Sequence, residues 1–186
     1  MPFTVLRASA VAGDELAFAA LWRRYHPGVV RYLRVLTPGD AEDVAAEVWL
    51  QVARDLGRFS GEEQAFRAWL FTVVRRRAID WGRARRRRPR ISPGAIPDTA
   101  TPDNTDLADE ARATHEALRM IGRLPADQAD VVLLRIVAGL DVNEVAAVMG
   151  KRPGTVRVLA HRGLKRLAEI LAADAKSCND IDPRDA

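Results

Sequence analysis

Lys151–Leu171, KRPGTVRVLAHRGLKRLAEIL, has the pattern of a basic helix entered through a tight Pro153-Gly154 turn. Immediately before it, Asp141–Met149 (DVNEVAAVM) predicts a shorter helix closed by Gly150. Two short helices joined by a few turn residues, the second carrying a row of cations, form the helix-turn-helix pattern. Asp141 and Glu144 make a D-x-x-E capping pair that satisfies free N–H groups where the first helix starts. Val142, Val145, Ala146 and Met149 recur at helical spacing and predict its buried stripe. In the second helix Val156, Leu159 or Ala160, Gly163 or Leu164, and Leu167 are expected inward. Thr155, Arg157, His161, Arg162 and Lys165 are left outward or oblique, as a row of donors facing a major groove and its phosphates must be. The competing reading is a helical hairpin with a solvated basic face; the caps, the short turn and the cation placement favour DNA.

The chain has 186 residues, 48% of them hydrophobic and 29% charged, with a net charge of +4. That is enough for one domain or two small ones and argues against wholesale disorder. The charge is unevenly placed. Residues 1–90 carry 17 cations against 10 anions, and 112–172 carry 10 against 6, whereas 91–111 carry 5 anions and no cation. Two basic segments are thus separated by an acidic connector, and local basicity of this kind matters more for polyanion binding than the small total. Arginine accounts for 26 of the 29 cations, a bias that coding composition can produce, so position carries more weight than number. The single Cys178 excludes an intramolecular disulfide. No apolar run is long enough to cross a bilayer, and the N-terminus lacks a signal-peptide pattern, so a cytoplasmic location is expected.

Going along the chain, residues 1–13 are weakly patterned and expected to fray. A helix is expected from Asp14 to Pro27-Gly28, where it should break, and a second from Val29 to Leu36. Asp40–Leu56 (DAEDVAAEVWLQVARDL) is the cleanest amphipathic helix, with Ala41, Val44, Ala45, Val48, Trp49, Val52, Ala53 and Leu56 on one face and Asp40 as its expected N-cap. The opposite side carries Asp43, Glu47, Gln51 and Arg54, a mostly acidic stripe that reads either as solvated or as a docking surface for a basic partner. Gln64 to about Arg87 is a long helix whose inner face is Phe66, Leu70, Val73, Val74, Ala78 and Trp81. From Arg75 to Arg90 there are nine arginines and one acid, Asp80. Such crowding is self-repulsive and points to a phosphate partner. Ile91–Asp106, with three prolines and no hydrophobic period, is a linker by composition; 16 extended residues reach roughly 55 Å. Helices are expected again from Leu107 to Arg123 and from Pro125 to Gly139. Residues from Asp174 onward read as a polar tail.

Enzyme chemistry finds little support. His26, His115 and His161 are dispersed with no acid or cysteine at metal-ligand spacing. There is no phosphate-binding glycine loop and no nucleophile elbow. Neither a cofactor nor a metal is expected.

Three stretches resemble one family, the extracytoplasmic-function (group 4) bacterial sigma factors of the sigma-70 family. Asp40–Val52 resembles region 2.2, Phe66–Arg88 is similar to regions 2.3 and 2.4, and Leu124–Leu167 looks like region 4; together they cover nearly all of the patterned chain, in the family's order. The resemblance implies an all-α fold of two small helical domains joined by a flexible linker: residues 1–90 as region 2, 91–111 as linker, 112–172 as region 4 and 173–186 as tail. It implies that Asp40, Asp43, Glu47 and Gln51 meet the β′ clamp helices of core RNA polymerase, and that region 4 touches the β flap. Arg75, Arg76, Arg77, Asp80 and Arg83 become candidates for the −10 element, where Trp81 is expected in the core rather than stacked on a base. Arg152, Thr155, Arg157, His161, Arg162 and Lys165 become candidates for the −35 element of promoter DNA. An anti-sigma partner is also implied, one that could hold the protein near the membrane without membrane insertion. Departures from the family pattern are Arg76 in place of a usual Asn, Ala46 in place of Gln, Arg152 in place of a capping Ser, and Val158-Leu159 in place of Ser-Arg. The function so implied is a non-enzymatic factor directing promoter-specific initiation. The alternative is a stand-alone helix-turn-helix regulator, which leaves the acidic helix and the second basic segment without a role.

Overall fold

The computed structural model describes residues 1–87 and 105–179. The end of the arginine run, most of the predicted linker, the last seven residues and the Cys178 side chain lie outside the described residues. Among those described the secondary structure is helical throughout. The elements are α1 (Phe3–Val11), α2 (Glu15–Leu36), α3 (Ala41–Asp55), a short 3-10 turn (Leu56–Arg58), α4 (Glu63–Arg87), α5 (Thr105–Gly122), α6 (Ala126–Ile136), α7 (Val142–Met149) and α8 (Pro153–Asn179).

Helices α1–α4 form the first unit. Asp14 caps α2, its carboxylate accepting from the backbone N–H groups of Leu16 at 2.9 Å and Ala17 at 3.1 Å. The break expected at Pro27-Gly28 does not occur; α2 runs through it. An interior proline costs roughly 3 kcal/mol in an isolated helix. Here Leu21 and Tyr25 before it and Val29, Val30, Tyr32 and Leu33 after it are all buried, at about 1.5–3 kcal/mol for each large side chain. Tertiary burial on both sides therefore outweighs the lost bond. The unpatterned N-terminus also folds, as α1: Phe3 rests on Phe66 with ring centroids 5.1 Å apart, and the Arg7 guanidinium donates to the Phe59 carbonyl at 2.8 Å. Only Phe3 and Leu6 are buried in it, too few positions to make a period.

In α3 the predicted stripe is buried from Ala41 to Val52 and continues to Leu56, with Ala53 exposed. Asp40 does not cap this helix. Its carboxylate pairs instead with the Arg85 guanidinium, a stronger charged partner than its own backbone N–H groups. On α4 Phe66, Leu70, Val73, Val74 and Ala78 are buried as expected, but Trp81 is only half-buried, in a shallow cleft with Asp40, Ala84 and Arg85.

Helices α5–α8 form the second unit. The capping box at α7 is complete: Asp141 accepts from the N–H groups of Asn143 (2.7 Å) and Glu144 (2.9 Å), and Glu144 accepts from the Asp141 N–H at 2.7 Å. Gly150 ends α7 at φ +64, a left-handed turn that favours glycine, and the Lys151 N–H closes the turn on the Ala146 carbonyl at 2.9 Å. Val156 is fully buried and Gly163 faces inward, whereas Leu164 is exposed. A Cβ at Gly163 would stand 3.0 Å from Val132 Cγ2, so a larger residue would fit only if Val132 gave way by a few tenths of an ångström. Beyond the predicted end of pattern at Asp174, α8 continues to Asn179, and an Arg123–Asp174 ion pair of 2.7 Å ties it to the end of α5.

The two units share one hydrophobic core. Val137, just after α6, is half-buried against α2: a Cβ at Gly28 would lie 3.7 Å from the Val137 carbonyl oxygen. Gln64 at the start of α4 donates to the Gly139 carbonyl at 3.3 Å and to Glu144 at 2.8 Å.

Candidate nucleic-acid interface

The capped α7 and the Gly150 turn aim α8 so that its predicted DNA row stands clear of the core. Arg152, Thr155, Arg157, His161, Arg162 and Lys165 are all exposed, and none makes an ion pair among the described residues. Lys151, by contrast, is neutralised by Asp127 at 3.0 Å. Arg166 is exposed too and follows Arg162 by one turn, so it joins the same side of α8; the i, i+4 repeat from Arg162 was the signal that sequence reading passed over.

The arginine-rich half of α4 is arranged differently. Among the described residues Arg76 is exposed without a charged partner, and Arg83 pairs only with its helix neighbour Asp80 at 3.5 Å. Arg77 is drawn toward α3, its Nε donating to the Gln51 side chain at 3.0 Å and its Nη1 standing 3.6 Å from Glu47. Arg75 is turned toward the second unit, where its Nε donates to Asp130 Oδ2 at 2.7 Å. Asp130 is 6% exposed, and its other oxygen accepts from the fully buried Tyr32 hydroxyl. Burial and the neighbouring Asp130 carboxylate push the Tyr32 phenol well above its usual range, so it remains a donor.

The predicted docking stripe of α3 is therefore partly engaged. Asp40 holds Arg85, Glu47 and Gln51 hold Arg77, and Asp43 alone of the four is exposed with no partner among the described residues. Leu50 lies on the same face as Asp43, Glu47 and Arg54 by helical spacing and is 58% exposed; Trp22 of α2 is 39% exposed. Leu50 is the apolar residue of that face which sequence reading passed over, although its type and spacing were legible at position 50. Beneath the stripe, Trp22 stacks on His26 at 4.2 Å, and Trp49 Nε1 donates to His26 Nδ1 at 3.2 Å.

Burial holds the His26 imidazole below its usual 6.5, against an opposing pull from Glu42. The acceptor nitrogen must stay unprotonated for the Trp49 bond. A depressed histidine contributes stability that is present above pH 6.5 and is lost as the pH falls below it, because the unfolded chain takes up the proton more readily. We expect the melting temperature to drop between pH 7.5 and 5.5 by less in a His26→Gln variant than in wild type. Equal drops in thermal melts followed by circular dichroism would show that His26 does not carry this pH dependence.

Two helical units, one with an exposed basic row on α8 that makes no ion pair among the described residues and one with an arginine-rich helix beside an acid-edged one, fit a nucleic-acid-binding class of protein. Comparison with known proteins agrees. Residues 21–88 match sigma-70 region 2, and residues 114–167 match sigma-70 region 4. The chain belongs to the extracytoplasmic-function RNA polymerase sigma factors. It is 34% identical over 175 residues to ShbA of Streptomyces griseus, covering 87% of this chain and 91% of that one. It is 35% identical over 175 residues to SigD of Mycobacterium tuberculosis, covering 89% and 82%. With BldN of Streptomyces coelicolor it shares 34% identity over 173 residues, 90% of this chain but 65% of the longer relative. The fold is that of CnrH in complex with the cytosolic domain of CnrY (TM-score 0.64, 22% identity, 91% and 97% covered). It is also that of the sigma factor RpoE bound to the anti-sigma factor NepR from Bartonella quintana (TM-score 0.63, 23% identity, 84% and 98% covered).

Proposed function

We propose that this sigma factor binds core RNA polymerase through the outer face of α3 and directs it to promoters that α4 and α8 read. Asp43 and Leu50 lead the polymerase contact, with Glu47 and Gln51 beside them; Asp40 supports α4 through Arg85. Arg76 and Arg83, together with Arg75 and Arg77 once released from their carboxylates, bind the −10 strand, whose unpaired bases are captured beside a cationic backbone track. Arg157 and His161 meet base edges at the −35 element, while Arg152, Arg162, Lys165 and Arg166 take phosphates, with Thr155 near the α8 N-terminus. As an initiation factor it works by binding alone and needs no cofactor. It acts in the cytoplasm, under an anti-sigma partner of the kind its family uses.

The observation that carries this reading is the pairing in one chain of an α8 row whose cations make no ion pair among the described residues with an α3 face on which Asp43 and Leu50 stand exposed. Run-off transcription with core polymerase on genomic fragments tests it: specific transcripts are expected only with both present. Duplex binding by the chain alone, with no recovery on core polymerase, would overturn it in favour of a stand-alone regulator.

A further inference from the structure

The outward side of α8 carries a residue that phosphate contacts do not account for. Val158 is 48% exposed, and it stands among cations rather than at the margin of the helix. At about 100° per residue, Thr155, Val158, Arg162 and Lys165 follow one another at i, i+3, i+7 and i+10 along one stripe, and all four are exposed. Val156, Gly163 and the half-buried Leu167 hold the opposite side. Val158 therefore points into the same space as the donors, from the middle of their row. Its neighbour Leu159 turns the other way and packs on the core. Leu164 and Leu171 are exposed too, but they repeat from Arg157 at intervals of seven residues and so lie along one flank, leaving the centre to Val158.

An exposed valine by itself would mean little, since single apolar residues are common on protein surfaces. Position gives this one meaning. It is the sixth residue of α8, within the first two turns, the part of a recognition helix that meets base edges. A valine there has neither donor nor acceptor. Set against the major-groove edge of adenine, guanine or cytosine, it strips water from polar atoms and returns no hydrogen bond. Thymine differs from the other three bases by presenting an apolar group in that groove, its C5 methyl. A β-branched side chain, stiff at χ1, meets that methyl with little freedom left to lose.

We propose that Val158 is a specificity-determining residue of the −35 contact and that it reads the C5 methyl group of one thymine. This role rests on α8 being the −35 helix, and it names the base and the atom recognised. Arg157 and His161 recognise polar edges by hydrogen bonds; Val158 adds an apolar contact beside them, with Arg162 and Lys165 on phosphates to hold the register.

The test uses holoenzyme made from core polymerase and the full chain, on a promoter duplex recovered by run-off transcription. Each thymine of the −35 element, on either strand, is replaced in turn by deoxyuridine, which lacks only the methyl group and pairs as before. At one position the affinity is expected to fall about fourfold, the worth of one buried methylene-sized group. With Val158→Ser, the thymine and uridine duplexes should bind alike at that position. Thr155→Ser, which removes the other methyl group of the stripe, should leave the uridine effect in place. A uridine effect at no position, or one that survives Val158→Ser, overturns the proposal. An effect that vanishes only with Thr155→Ser gives the methyl contact to Thr155 and overturns it as well. Base-pair changes in the same duplex judge the −35 reading separately. Sensitivity to those changes without a uridine effect removes the methyl contact and leaves the −35 reading standing; indifference to both removes the two together.

Discussion

Core polymerase is expected to lose this sigma factor when Asp43 and Glu47 are both changed to lysine. Exposed ion pairs are worth about 0.2–1 kcal/mol, but charges closely docked across an interface couple at about 1.5–7 kcal/mol, so reversal of two should reduce affinity between tenfold and a thousandfold. The two positions are not equivalent. Asp43 has no partner among the described residues, so Asp43→Lys reports on the polymerase alone. Glu47 stands 3.6 Å from Arg77, and a lysine there would also push that arginine away from α3. Glu47→Gln separates the two effects by removing the charge without adding repulsion. Titration of labelled protein with core polymerase at low and high salt gives the answer: a steep salt dependence that Asp43→Lys abolishes supports docking, and wild-type affinity in the double variant refutes it.

Arg157→Ala should weaken promoter binding by the holoenzyme by about 1–3 kcal/mol, roughly 5- to 150-fold, and relax selectivity at one −35 position. Lys165→Ala should instead weaken all promoters alike and lower the salt slope by about one, as a phosphate contact does. Both side chains are exposed, so neither change disturbs packing. Competition between promoters mutated one base at a time distinguishes them. Selectivity unchanged in Arg157→Ala would move that residue from base reading to backbone contact.

The helix-turn-helix was legible because its signals are local. A capping box spans four residues, and a left-handed glycine needs only its own turn. The same reasoning failed wherever a distant partner intervened. Asp40 has the right type and place for an N-cap, yet Arg85, 45 residues away, takes its carboxylate. Pro27 has every mark of a helix break, yet α2 continues through it with buried side chains on both sides. Residues 1–13 show no period, yet Phe3 and Leu6 find a core supplied by α4 and its neighbours. Arg75 and Arg77 read as members of one cationic row, but each is claimed by a different acid, Arg75 by α6 and Arg77 by α3.

From the amino-acid order alone came the all-helical class, the α7 capping box, the placement of charge and the family resemblance, because periodicity and capping act within a turn or two of chain. Only tertiary structure decided which of the cations are free and which are spoken for, and how the two units meet. An ion pair depends on what packing brings within 3–4 Å, and positions 75 and 130 become neighbours only when the whole bundle has closed.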